Sequence, residues 1–147
     1  MEAFLGLGIV GMLAIFFIWY VLLVIGYWKL FEKAGKPGWH SIIPILNTYD
    51  QYDMCWSGIF GIIYAIGMGV TSYISANAAE DQTMAMISGV VGLVCLVISV
   101  VGDYKLAKCF GKGIGTFIGL LFLQPIFMMI LAFDRSRYMG PQKDCFI

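Results

Sequence analysis

The chain has 147 residues, 61% hydrophobic, 16% aromatic and only 12% charged, with a mean hydropathy of +0.87. A water-facing domain carries about a quarter charged residues. The composition therefore excludes a soluble enzyme, a disordered chain, a collagen and a disulfide scaffold, and leaves an integral membrane protein. Nine Lys and Arg balance nine Asp and Glu, so net charge makes no case for a nucleic-acid partner.

The first apolar run, Ala3 to Trp28, has no charged residue. At 1.5 Å per residue it exceeds a hydrocarbon core of ~30 Å. Glu2 stands where a secretory leader is basic, so the run is expected to remain as a first membrane helix. Trp19, Tyr20, Tyr27 and Trp28 gather in its second half ahead of Lys29, an aromatic belt with a charged stop. The helix should continue through Lys33, with Gly35 as a left-handed cap and Pro37 preventing continuation. Residues 38–53 are too polar to span and are broken by Pro44, so an interfacial segment is expected.

A second span is expected at about residues 54–75, where Ser57, Gly61, Ala65 and Gly69 recur every four residues. Small residues at that spacing let a neighbouring backbone approach closely. A short turn with Asn77, Glu80 and Asp81 leads to a third span at about 84–102. A stretch from Asp103 to Gly113 then carries Lys105, Lys108 and Lys112. The fourth span, about 114–133, has Gln124-Pro125 in its middle, where proline should kink the helix. A polar tail follows.

Trp28-Lys29-Leu30 with Gly35-Lys36 matches Tyr104-Lys105-Leu106 with Gly111-Lys112 at a constant offset of 76. The expected fold class is an all-α integral membrane protein forming one domain. It has four transmembrane helices arranged as two parallel-repeat hairpins, halves 1–75 and 76–147, with an interfacial segment after helix 1. With the N-terminus outside, Lys29, Lys33, Lys36, Lys105, Lys108 and Lys112 face the cytoplasm and Arg135, Arg137 and Lys143 face out. That direction suits the positive-inside rule, although the basic tail is a misfit. The alternative is that Pro125 splits the last span into a re-entrant pair of half-helices and returns the tail to the cytoplasm; four ordinary spans are the favoured reading.

The run Lys29 to Trp39, containing Ala34-Gly35-Lys36-Pro37-Gly38-Trp39, continues with Ile43-Pro44 and Asn47-Thr48-Tyr49 and is followed later by Phe110-Gly111-Lys112-Gly113. This pattern resembles a domain-of-unknown-function family of small multi-pass bacterial membrane proteins, some labelled signal peptidase I. The resemblance implies a multi-pass location in the bacterial cytoplasmic membrane. A signal peptidase needs a serine nucleophile and a lysine base in an extracytoplasmic domain, for which the short outward loops leave no room.

No enzyme is expected. Cys55, Cys95, Cys109 and Cys145 form no C-x-x-C pair and should be free thiols. No Ser/His/Asp set or metal spacing stands out, so no catalytic, metal or cofactor residues are assigned. Lys29, Lys33, Lys36 and Trp39, with Lys105, Lys108 and Lys112, are expected to meet lipid headgroups, anionic ones above all, or an acidic partner loop. Asp50 and Asp53, spaced i,i+3 at the edge of the second span, are expected in the headgroup layer; His40, the sole histidine, lies ten residues from Asp50 beyond Pro44, and the role of all three stays open. The expected function is a structural or accessory subunit packing with itself, as a homo-oligomer, or with a larger membrane complex. The alternative is a small channel or transporter, for which the polar residues within the spans, Gln124 among them, are few.

Overall fold

The computed structural model describes residues 2–77 and 81–141, and of residues 2–5 the backbone alone. Glu80, Lys143 and Cys145 lie outside the described residues. Regular structure among the described residues is all helical. Its elements are α1 (Glu2–Lys33), a 3₁₀ segment (Gly38–Ile42), α2 (Pro44–Cys55), α3 (Gly58–Asn77), α4 (Gln82–Cys109), α5 (Ile114–Phe122) and α6 (Gln124–Phe133). Among the described residues three helices, α1 from Gly6, α3 and α4, are long and apolar enough to cross a membrane.

The long helices α1 and α4 end alike. Gly35 has φ +76° and Gly111 φ +69°, left-handed values that glycine adopts without a Cβ penalty. Lys36 N–H donates to Phe31 C=O at 2.7 Å and Gly35 N–H to Glu32 C=O at 3.1 Å. At the second cap, Lys112 N–H donates to Ala107 C=O and Gly111 N–H to Lys108 C=O, both at 2.9 Å. Each is a paired 6→1 and 5→2 closure that satisfies carbonyls a helix end leaves open, and each member is offset by 76 residues from its counterpart.

After the first cap the chain runs back along α1. The Trp28 indole covers Gly38, leaving no room for a Cβ there. The Tyr20 hydroxyl donates to Ile42 C=O at 3.2 Å. Trp28 and Tyr20 are about 12 Å apart along α1, so the 3₁₀ segment descends beside the helix. The chain reverses at Ile43, in extended conformation (φ −94°, ψ 114°), and Pro44 opens α2 in its first turn, where its missing N–H costs nothing. Helix α2 climbs again, with Tyr27 donating to Gln51 Oε1 at 2.9 Å, and then lies antiparallel to α3, the Tyr49 ring on Gly58 and the Thr48–Tyr49 backbone on Gly61. The expected interfacial segment is thus a helical excursion packed between α1 and α3. The small-residue positions Gly58 and Gly61 let α2 in, and the span expected from residue 54 begins at Gly58 as α3.

The expected fourth span is two short helices. Leu123 leaves helical geometry (φ −130°, ψ 49°), and Gln124 and Pro125 start α6. Lys112, before α5, forms an ion pair with Asp134, after α6. In one continuous helix those residues would be about 33 Å apart. Phe127 of α6 lies on Gly119 of α5. A proline kink alone bends a helix; the non-helical Leu123 lets the chain reverse, so α5 and α6 form a hairpin whose two ends share one side.

The two halves also pack crosswise. Gly26 of α1 meets Met128 of α6, and Gly102 of α4 meets the Tyr52 ring of α2. The buried core gathers Leu30, Phe31, Met54, Leu106, Leu120, Met128 and Leu131 at the lysine-bearing ends of α1 and α4. The N-terminal part of α1, from Gly6 to Val21, is exposed throughout.

Candidate functional site

Four residues singled out in the sequence meet at the first cap. Lys36 Nζ donates to Asp50 Oδ1 at 2.8 Å and to Asp53 Oδ2 at 2.7 Å. His40 Nδ1 is hydrogen-bonded to Asp50 Oδ2, and the Trp39 ring meets the imidazole edge-on at 4.2 Å. The cap aims Lys36 at α2, and the i,i+3 spacing puts both carboxylates on the face that receives it. Burial works against the Lys36 charge, but the hydrogen bonds to Asp50 and then Asp53 outweigh it and hold the ammonium above its ordinary pKa. Asp50 is almost fully buried, whereas the Asp53 side chain is 42% exposed. The cation bridging the carboxylates is Lys36 itself, and among the described residues no cluster of three or more His, Cys, Asp or Glu is arranged to hold a metal.

The other lysines are placed differently from one another. Lys29 pairs with Glu32 at 2.9 Å on the exposed face of α1. Lys33 Nζ donates to the carbonyls of Leu131 and Asp134, each at 2.7 Å. It thereby caps the negative end of α6. Lys112 pairs with Asp134, whose carboxyl is held below the usual range by the Lys112 hydrogen bond and then by the Arg135 N–H. Lys108 lies over the Tyr104 ring at 5.0 Å. Lys105 is buried, its ammonium 4.8 Å from the centre of the Trp56 ring. Trp39 is half exposed. Lys33, Lys36 and Lys112 therefore spend their charge tying the hairpin ends to the long helices.

The expected packing face on α3 divides. Gly61 is buried against α2, Ala65 is half-buried beside it, and Ser57 precedes the helix. A methyl group at Gly69 would meet no atom within 4 Å, while Gly67 packs on Cys95 Sγ of α4. The four-residue spacing thus finds the α2 contact but misses Gly67, because α2 and α4 cover different faces of α3.

Asp103, Tyr27 and Gln51 do not stand out as site residues in the sequence. The apolar run ends the third span at Gly102, yet α4 runs to Cys109 and carries Asp103 and Lys105 into the core. The Tyr27 hydroxyl, donating to Gln51, also accepts from Gln124 Nε2 at 3.3 Å, so a polar line joins α2, α1 and the break between α5 and α6. Asp103 is 7% exposed. The periodicity Gly102, Leu106, Cys109 could have carried the helix past Asp103. Cys55 and Cys109 approach to 3.3 Å between sulfurs and are free thiols. Burial, and then the neighbouring Cys109, push the Cys55 thiol up, away from the reactive thiolate.

A family of unknown function, DUF5684, matches residues 39–141. The chain belongs to that family. The DUF5684 match begins at Trp39, the last residue of the Ala34–Trp39 run, and covers both hairpins, α3 and α4 while leaving α1 outside. Comparison with curated proteins and with solved structures gave no match.

Proposed function

We propose that the chain is a non-catalytic integral membrane protein, a structural or accessory subunit that associates with itself or with a larger bacterial membrane complex. The observation that carries this reading is the bare half of α1. From Gly6 to Trp19 it is apolar and exposed, with Leu7, Phe16 and Phe17 each more than 60% exposed. Lipid tolerates such a helix, and association between membrane helices relies on packing of just such surfaces.

The same reading includes an orientation and a duplication. Three spans with two re-entrant hairpins put Lys29, Lys33, Lys36, Lys105, Lys108, Lys112, Arg135 and Arg137 on one side. The positive-inside rule makes that side cytoplasmic and leaves the N-terminus outside, resolving the misfit of the basic tail. The matching caps and crossed contacts at an offset of 76 support a duplicated unit of long helix, glycine cap and re-entrant hairpin, in place of two hairpins of full spans.

Cysteines introduced singly from Leu7 to Phe17 and cross-linked in native membranes test the association. Cross-links recurring with helical periodicity on one face are expected. A monomer in nanodiscs with no cross-link at any position contradicts it. A transport role is the second reading, favoured by Asp103 and the Gln51–Tyr27–Gln124 line, since re-entrant backbone often lines a polar path. Ion flux in proteoliposomes, lost in Asp103→Asn, would support it.

A further inference from the structure

A cleft of about 430 Å³ lies between α2 and α3, walled by Ile45, Leu46, Tyr49, Gly61, Ile62 and Ala65, with Ile66 at its far end. Its walls are almost wholly apolar. It exists because Gly61 brings the α2 backbone close while Ala65, one turn further, leaves the space beyond unfilled. Ile45, Tyr49 and Asp53 are spaced i, i+4 and i+8 and so form one stripe along α2, about 12 Å from end to end. The stripe is apolar where Ile45 and Tyr49 wall the cleft and ionic at Asp53, one turn beyond Tyr49. Lys36 Nζ lies 5.9 Å from the Tyr49 ring and holds Asp53 at 2.7 Å.

We propose that this cleft binds one acyl chain of a phospholipid whose headgroup carries a primary amine, of the phosphatidylethanolamine kind, with the ammonium on Asp53 and the phosphate toward Lys36. The proposal rests on the membrane placement above and not on the association of α1. Charge complementarity selects the headgroup. Asp53 keeps 42% of its side chain exposed while already paired on one side, so it retains acceptor capacity for a second ammonium. Lys36 donates two hydrogen bonds and has a third N–H for a phosphate oxygen. An anionic headgroup without an amine could reach Lys36 but would bring no cation to Asp53, the second carboxylate on that lysine. The lysines expected to gather anionic lipid contribute little here, since Lys33 and Lys112 are committed to α6 and Asp134.

The test is lipid retention in native mass spectrometry after ejection from nanodiscs made of equal phosphatidylethanolamine and phosphatidylglycerol. The parent should keep phosphatidylethanolamine in preference by roughly 2- to 5-fold, the range a partly exposed ion pair gives. Asp53→Asn should remove the preference while lipid of both kinds is still retained. Ala65→Phe should fill the cleft and reduce retention of both, and Gly69→Phe, on open surface, should not. Thermal unfolding checks that each variant is folded, and Asp53→Asn leaves the cleft intact if Ala65→Phe is not. Equal retention of the two lipids by the parent, preference for phosphatidylglycerol, or an unchanged preference in Asp53→Asn overturns the proposal. Failure of α1 cross-linking would leave these lipid ratios unaffected.

Discussion

Gly102 of α4 lies against the ring of Tyr52 of α2, close enough that a Cβ would stand 2.7 Å from a ring carbon. Seventy-six residues separate this pair from its counterpart, Gly26 against Met128, where a Cβ would stand 3.2 Å from the Met128 Cβ. Each long helix thus receives the returning helix of the other half at a glycine. Gly102→Leu and Gly26→Leu should each destabilise the fold by about 1–3 kcal/mol, the usual cost of overpacking, and Gly69→Leu should be near neutral. Thermal unfolding in one detergent checks this; equal melting temperatures for all three would remove the crossed packing.

The Lys36 bridge should matter more than any surface pair. Lys36→Met leaves Asp50 buried beside Asp53 with the compensating charge gone. The loss should be about 1–3 kcal/mol, below the 3–5 kcal/mol of a fully buried pair because the Lys36 side chain is 21% exposed. Asp53→Asn, at the exposed edge, should cost less. Denaturant unfolding in mixed micelles gives the order.

Asp103 costs stability. Burying a carboxylate is unfavourable, and Leu has nearly its shape. Asp103→Leu should raise stability by on the order of 1 kcal/mol. A lower melting temperature would mean that the carboxylate holds the core together, and would count against a role in moving ions.

The Lys112–Asp134 clasp should open in acid. The Asp134 carboxyl is held below its ordinary value in the folded chain, so its contribution is present above the unfolded carboxylate pKa of about 4 and is lost as pH falls through the lower folded value. Spin labels at Ile114 and Phe133, both exposed, should show a narrow distance at neutral pH that broadens in acid. Lys112→Gln should broaden it at every pH.

Much of this is legible from residues alone. The all-helical membrane class follows from composition, and the cap at Gly35 follows from Gly-Lys-Pro after a long apolar run. Membership of an unknown-function family is legible in the pattern that the Ala34–Trp39 run opens, of which Trp39 and the later Ile43-Pro44, Asn47-Thr48-Tyr49 and Phe110–Gly113 segments fall within the matched residues. The second hairpin is legible only as the less favoured alternative at Pro125 and the first not at all, because reversal depends on backbone geometry at Ile43 and Leu123, which the adjoining prolines allow but do not dictate. Lys36, His40, Asp50 and Asp53 stand apart in the sequence. Only the descent of the 3₁₀ segment and the return of α2 bring them together. Asp103 is hidden because a charged residue after an apolar run signals a helix end, and tertiary burial overrides that signal.

The most direct test is the side on which the tail emerges. Single cysteines at Lys29, Gln82 and Met139, all exposed, in a cysteine-free background can be labelled with a membrane-impermeant maleimide on intact cells and on inverted vesicles. With two re-entrant hairpins, Lys29→Cys and Met139→Cys label from the cytoplasmic side and Gln82→Cys from the opposite one. Labelling of Met139→Cys from the same side as Gln82→Cys would mean that residues 114–133 cross the membrane, and would contradict the fold described.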